Sequence, residues 1–462
     1  MLKDTLTKVV DVAANKFGAD YVEVRAQKLF KTMLAIKEER VEAAKEGIEN
    51  GVAIRVLVNG AWGFASICSF NAETLLDAVS QAYRMAKAAS QKLKSPIKLV
   101  ESKAFEDRVS VKPKKDPSKI PVGDKIGITS AIAKTILEYD NCVKSCTVDY
   151  LDLTGTSYFL NNEGTYIEQD KLYVWARVLV TAKKGDVFTF SREEIGSTSG
   201  YEAFDVETPE VVGERAAKRA VEQLKAKTPK GGTFPVVLGP NVVGVFVHEA
   251  FGHLAEADLT LSGSVLMGKL GKKVASEVVT IYDDGTLEGA FGSFKYDDEG
   301  VPAQKTLLVE DGVVVGLMHN RETAQKFDAK PTGNARAEDF RVEPIIRMRN
   351  TFLAPKDHSF EELFEGIKFG YYFKSFRGGQ ANLDGTFQVG IQESYEIVKG
   401  EVGEPVRNAS ISGNTLETLH KVDAVGEDFE LWPGRCSKGQ TAFVCDGGPH
   451  IRVKGVLVGG GV

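Results

Sequence analysis

Gly239-Pro-Asn-Val-Val-Gly-Val-Phe-Val-His-Glu-Ala-Phe-Gly-His-Leu-Ala-Glu-Ala-Asp258 is the most informative segment of the chain. Pro240 suits the first position of a helix. Val242, Val243, Val245, Phe246 and Val247 are apolar all round, which predicts a buried helix. His248, Glu249, His253, Glu256 and Asp258 then follow one another closely. Burying unpaired ionisable groups costs on the order of several kcal/mol, comparable with the stability of a domain. A divalent metal would compensate them together.

The spacing is H-E-x-x-x-H. At about 100° per residue, side chains four apart on a helix diverge by roughly 40°, and side chains five apart by roughly 140°. A regular helix cannot aim both imidazoles at one ion. The backbone must widen by one residue, as in a π-bulge, or break. Gly252, just before the second His, tolerates such a distortion, so irregular backbone is predicted there. The bland alternative is a pair of core histidines bonded to carbonyls. Two His, an adjacent Glu and a Gly in one buried helix tell against it.

Catalytic zinc usually takes three protein ligands and keeps a fourth position for water. Candidates for the third ligand are Glu256, Asp258, Cys436, Cys445, His319, His358, His420 and His450. Cys68 lies in an alternating apolar segment and reads as core. Cys142 and Cys146 flank a strand start and read as packing residues, and Cys445 ends a strand-like run. Cys436 sits in the glycine-flanked Trp432–Gln440 loop, where Arg435 and Lys438 would favour a thiolate. Composition does not choose between Cys436 and Glu256. Glu256 and Asp258 also suit a role in orienting a ligand His, or in capping turns.

Outward from this segment, helical periodicity marks Leu2–Phe17, Ala72–Ala89, Ile120–Glu138 and Pro209–Lys225. Short alternating segments lie between, at Tyr21–Gln27, Thr32–Glu39, Val52–Val58 and Ala61–Ile67, then Val143–Leu151, Thr156–Leu160, Thr165–Gln169 and Leu172–Val180. Asn59-Gly60 signals a hairpin. The order helix, strands, helix thus occurs twice. Ala53–Val58 (AIRVLV) matches Ala176–Thr181 (ARVLVT), which suggests a duplicated α+β unit. Lys94–Pro121 reads as a solvated connector, and Lys225–Gly232 as a domain boundary.

Beyond it, short strand-like segments separated by Gly or Asp turns suggest a mostly antiparallel sheet or a barrel. They include Phe234–Leu238, Val278–Tyr282, Lys305–Glu310, Val313–Met318, Ile345–Thr351, Glu393–Lys399, Phe443–Cys445 and Ile451–Val458. Gly455–Val462 reads as a core strand or a subunit contact. The fold class is therefore α+β. An N-terminal domain of helices and antiparallel sheet (1–228) precedes a strand-rich C-terminal domain (229–462) that carries the HExxxH helix.

Composition sets bounds on function. The chain has 462 residues, 43% apolar and 26% charged, as expected of a folded globular protein. Its 58 basic and 64 acidic residues give a net charge of -6, which offers no electrostatic reason to bind nucleic acid. Five cysteines are too few, and odd in number, for a secreted disulfide scaffold. The start reads as an amphipathic helix, not a signal peptide. No apolar run approaches the roughly 18 residues of a membrane span. A soluble, cytoplasmic protein is the expectation.

The HEAFGHLAEAD segment, His248–Asp258, resembles the signature helix of the TldD/PmbA family of metalloproteases, in its TldD branch. Other segments agree in order: Pro331–Arg336 (PTGNAR), Pro344–Asn350 (PIIRMRN) before Thr351, Gly378-Gly-Gln380 leading into Gly385–Tyr395, Ser410–Asn414 (SISGN), Val425-Gly426, and Gly434–Gln440 (GRCSKGQ). The region from Tyr21 through Gly51–Ile67 is similar too. The resemblance implies zinc held by His248, His253 and Cys436, one ion per chain, with Glu249 as the catalytic glutamate. The PmbA (TldE) branch shares the fold but lacks this motif. The family also implies unfolded or extended peptide substrates, and either a homodimer or a heterodimer with a PmbA/TldE-like paralogue.

Two imidazoles and a thiolate leave zinc a net charge near +1, which still acidifies water toward a pKa of about 7. Glu249 would take a proton from the zinc-activated water and deliver it to the leaving amine. The alternative for Glu249 is an ion pair with a neighbouring strand. At the level of the whole protein, the alternatives are a zinc amidohydrolase in peptide modification and a non-catalytic regulatory subunit.

Overall fold

The computed structural model describes residues 2–460. Helix α1 (Leu2–Asp11) leads into strands β1 (Tyr21–Lys37), β2 (Arg40–Val58) and β3 (Ala61–Ile67), then helix α2 (Ala72–Ser90). After a short strand β4 (Glu106–Val109), the order recurs. Helix α3 (Val122–Tyr139) is followed by β5 (Val143–Asn161), β6 (Tyr166–Lys184) and β7 (Val187–Ser197), a short helix α4 (Ala203–Val206), and α5 (Pro209–Gln223). Side-chain caps start two of these helices. Asn71 accepts from the N–H groups of Glu73 and Thr74, and Thr208 caps α5 just ahead of Pro209. Asn59 and Gly60 both have positive φ, at 49° and 78°, the pattern of a type I′ hairpin turn.

The two units meet along β1 and β5, antiparallel from Glu23 opposite Asn161 to Lys37 opposite Thr147. One sheet results, in the order β3-β2-β1-β5-β6, with β4 and β7 sharing the outer edge of β6. Even-numbered residues of β1 point to the helices. Val22, Val24 and Ala26 pack with α1 and α2, and Leu34 and Ile36 with α3 and α5. The opposite face, with Arg25, Gln27 and Lys31, looks toward the second half of the chain. Pairs of segments expected as separate strands are continuous here. The residues between them include polar ones, but the neighbouring strands extend the ladder through them. The outer half of β2, Arg40 to Asn50, was not expected as strand because it is polar and mostly exposed. The matched sequences lie on corresponding strands, β2 and β6, at different distances from the following turn. Val58 ends β2, whereas Thr181 stands three residues before Lys184.

The second half contains β8 (Gly232–Leu238), helix α6 (Pro240–Val247), β9 (Ile281–Asp284), β10 (Lys305–Glu310) and β11 (Val313–Val314). The pair β12 (Ala335–Arg336) and β13 (Ile345–Ile346) precedes β14 (Asn350–Leu353), β15 (Phe369–Ala381), β16 (Thr386–Val398), β17 (Glu401–Val406) and β18 (Ala409–Asn414). The last four are β19 (Val422–Val425), β20 (Glu430–Ser437), β21 (Thr441–Gly448) and β22 (Ile451–Gly460). One sheet runs β11-β10-β9-β14-β21-β20. The other runs β15-β8-β22-β18-β16-β17, and pairing of β15 with β16 closes it into a barrel-like ring. The molecule is α+β. Val242, Val243, Val245, Phe246 and Val247 of α6 are all buried in the main core of this half.

Gly455–Gly460 belongs to β22 within the barrel-like sheet, and the last two residues lie outside the described range. Cys68 is exposed just after β3, contrary to the core placement read from its neighbours. Lys94–Pro121 is largely exposed, as a connector should be, but it also contributes β4. Among the described residues, no helix is long and apolar enough to cross a membrane.

Candidate metal centre and its cleft

Helix α6 runs straight into the candidate centre. His248–Gly252 forms one π-helical turn, closed by the His253 N–H donating to the His248 carbonyl. A 3-10 turn follows at His253–Ala255. The widened turn absorbs the extra residue of the H-E-x-x-x-H spacing. It brings the two imidazoles together, with centroids 5.2 Å apart and planes at 86°. Gly252 itself has ordinary helical angles, φ -56° and ψ -50°. Its contribution is space, because a Cβ there would lie 2.1 Å from the Met348 sulfur. The tolerance for distortion inferred from the sequence is not what this glycine supplies.

Cys436 arrives on β20, with its Sγ 3.3 Å from His253 Nε2. Donor atoms of His248, His253 and Cys436 all lie within 4.8 Å of one another, and no other such group of three occurs among the described residues. Glu256 stands behind His253, its Oε2 2.8 Å from Nδ1. Lys438 donates to Asp258 at 2.8 and 3.0 Å and to the Ile346 carbonyl at 2.9 Å, and lies 3.2 Å from Glu256. The remaining candidates stay apart from the group. Cys445 is buried in β21, His319 contacts Thr323, His358 contacts the Val425 carbonyl, His420 ends a short helix, and His450 pairs with Asp428.

Electrostatics favour a thiolate. Burial alone would raise the Cys436 thiol, but the charges and hydrogen bonds of His248 and His253 outweigh it and bring it to about 4. Burial alone would lower both imidazoles. Cys436 nevertheless carries His248 up to about 9, and Glu256 with Cys436 carries His253 up to about 10. These shifts favour a sulfur anion beside protonated rings. The Arg435 guanidinium instead sits over the Trp175 ring, 5.1 Å from its centroid. Two imidazoles and one thiolate make a donor set that suits zinc. Removing the imidazole protons leaves three ligands for one cation.

Glu249 is about one quarter exposed, and its Oε2 lies 3.8 Å from His253 Nε2. It lines a cleft of about 190 Å³ together with Arg192 and Glu194 of β7, Phe376 of β15, and Trp432 and Cys436 of β20. Two outer strands face each other here, β7 from the first sheet and β20 from the second.

Sequence reasoning missed Asp446, Lys438 as a clamp, and Arg347. Asp446 lines the cleft, and burial pushes its carboxyl up to about 7 despite the nearby His248. An acid ending the apolar run Thr441-Ala-Phe-Val-Cys was its only signal. Arg347 donates to the Cys436 carbonyl at 3.0 Å and also to that of Gln440, fixing both ends of the turn after Cys436.

A distorted helix carrying two His and a Glu, completed by a distant Cys above a cleft, presents a donor set suited to one metal ion. Family comparison agrees along most of the chain. Residues 22–86 match PmbA/TldA metallopeptidase domain 1, residues 115–224 the central domain, and residues 231–460 the C-terminal domain. A metalloprotease of Methanothermobacter thermautotrophicus is 42% identical over 447 residues, covering 96% of each chain. A zinc metalloprotease TldD homolog of Saccharolobus solfataricus is 36% identical over 449 residues, covering 97% of this chain and 98% of its own. The chain belongs to the PmbA/TldD metallopeptidase family, in its TldD branch. TldE from Thermococcus kodakarensis shares the fold, with a TM-score of 0.77 at 22% identity over 99% of this chain and all of its own. So does a Thermotoga maritima protein proposed as a modulator of a DNA gyrase, with a TM-score of 0.80 at 24% identity and the same coverage.

Proposed function

We propose that this chain is a zinc-dependent peptidase, holding one zinc through His248, His253 and Cys436 and hydrolysing unfolded or extended peptides. The observation that carries this reading is the convergence of those three donors within 4.8 Å beside a cleft that Glu249 lines. Zinc bound there would polarise the scissile carbonyl and acidify the attacking water.

Glu249 takes the water proton on its carboxylate and returns it to the leaving amine. Glu256 holds the Nδ1 side of His253, leaving Nε2 directed at the sulfur. The unpaired outer edge of β20 offers an extended peptide backbone hydrogen bonds that make little demand on sequence. The narrow slot between β7 and β20 excludes folded proteins. Such a chain acts in the cytoplasm, alone as a dimer or with a TldE-like partner.

Metal analysis beside cleavage of a disordered peptide tests the proposal. Wild-type protein should carry about one zinc per chain, and His248→Ala, His253→Ala and Cys436→Ser should lose it. Glu249→Gln should keep zinc and lose turnover by roughly 10² or more. Full zinc in Cys436→Ser would remove the sulfur from the ligand set. Equal cleavage of a rigid native protein would remove the substrate class.

A further inference from the structure

Helix α6 lies against β21 through Gly244. A Cβ at that position would meet Asp446 Oδ1 at 2.5 Å and the Gly447 nitrogen at 2.6 Å. The Asp446 carboxyl is therefore seated in a notch on the helix, one turn before His248. Two buried polar atoms in this interface have no hydrogen-bond partner, Asp446 Oδ1 and His248 Nδ1. Asp446 is 9% exposed and His248 2%. Leaving a buried polar atom unpaired is unfavourable, so each of these atoms calls for a partner.

The cleft's other charged groups are engaged or of the wrong sign. Glu194 holds Arg192 at 3.0 Å, and Glu249 is itself an acid. One further donor competes. Trp432, directly opposite Asp446 on β20, also has its indole nitrogen buried without a partner.

We propose that Asp446 positions His248, accepting from its Nδ1–H as Glu256 accepts from that of His253. The inference rests on the reading of His248 as a metal ligand. Each imidazole would then be fixed from behind by a carboxylate, one from the end of the helix and one from a strand. Fixing the ring sets its tautomer and its aim, and such partners typically govern metal affinity by 10–100-fold. Of the two competing donors, only the imidazole pairing makes zinc binding depend on Asp446.

The test is zinc affinity of the full chain, measured by competition with a chromophoric chelator. Asp446→Ala should weaken zinc by about 10–100-fold, as should Glu256→Ala. Asp446→Asn, which keeps an acceptor oxygen, should restore most of the loss, and Trp432→Phe should leave affinity unchanged. Nitrogen-15 NMR of zinc-loaded, histidine-labelled protein supplies a signature that packing alone would not move. The Nδ1–H resonance of His248 should shift or vanish in Asp446→Ala, while that of His253 stays.

Wild-type zinc affinity in Asp446→Ala, or an equal loss in Trp432→Phe, overturns the proposal. If the alanine variant fails to fold, Asp446→Leu, close in size and without an acceptor, carries the test, and wild-type zinc affinity or an unchanged His248 Nδ1–H environment in it overturns the proposal. Retention of full zinc by His248→Ala would instead remove the ligand reading itself, which separates the two failures.

Discussion

Gly252 shows how a single missing methyl shapes the centre. Met348 fills the space a side chain would take, its sulfur 2.1 Å from the would-be Cβ. Gly252→Ala should cost about 1–3 kcal/mol through overpacking. Urea unfolding of Gly252→Ala, Met348→Ala and the double variant checks this. The double variant should lose less than the sum of the singles, because the residues share one space. The sequence flagged the position correctly but for another reason, since a contact with a residue so far along the chain has no local signature. His248, Glu249 and His253 were legible because their spacing on a helix has a geometric consequence. Asp446 was not, because its meaning depends on which helix face lies above it.

Among the elements, the hairpin of β20 and β21 delivers the sulfur, and Lys438 ties it down. The ammonium bridges Asp258, Glu256 and the Ile346 carbonyl, linking the hairpin to the end of the HExxxH segment. Lys438→Met should keep the fold, read by circular dichroism, yet lose zinc affinity by roughly 10–100-fold.

A second buried contact joins β9 to β14. Arg349 Nε lies 2.7 Å from Asp283 Oδ2, and Asn334 and Thr351 donate to the same carboxylate. Burial alone would raise Asp283, but Arg349 and these donors outweigh it and hold the group below the usual range. With the folded value depressed, the stabilisation is present above the unfolded value of about 3.9 and is lost as pH falls through the folded value. Asp283→Asn strands Arg349 and should cost about 3–5 kcal/mol at neutral pH. Its urea midpoint should also fall less steeply than the wild type's below about pH 4. Strand existence was readable from apolar alternation in β8, β10 and β22. Strand length was not, because the outer half of β2 is polar and exposed and is held only by its partner β1.

At the scale of the molecule, ion pairs join the first half of the chain, from its sheet, a turn and helix α5, to the second half. Arg55 contacts Glu299 at 2.7 Å, Arg321 contacts Glu163 at 2.6 Å, and Arg219 contacts Glu393 at 2.7 Å. We place the division between the two parts at residues 228 and 229, in the segment Lys225–Gly232. Tryptic nicking there should leave the fragments migrating as one particle in gel filtration, separating only in denaturant. The doubled order of elements was visible in the sequence. Their joining through β1 and β5 into one sheet was not, since no local pattern names the partner of a strand.

The sulfur of the pocket stands 183 positions after its nearer imidazole. A nascent chain still emerging from the ribosome therefore carries both rings long before it carries the thiol. On the proposed reading, a cation meets its full set of three ligands only after that sulfur has been made.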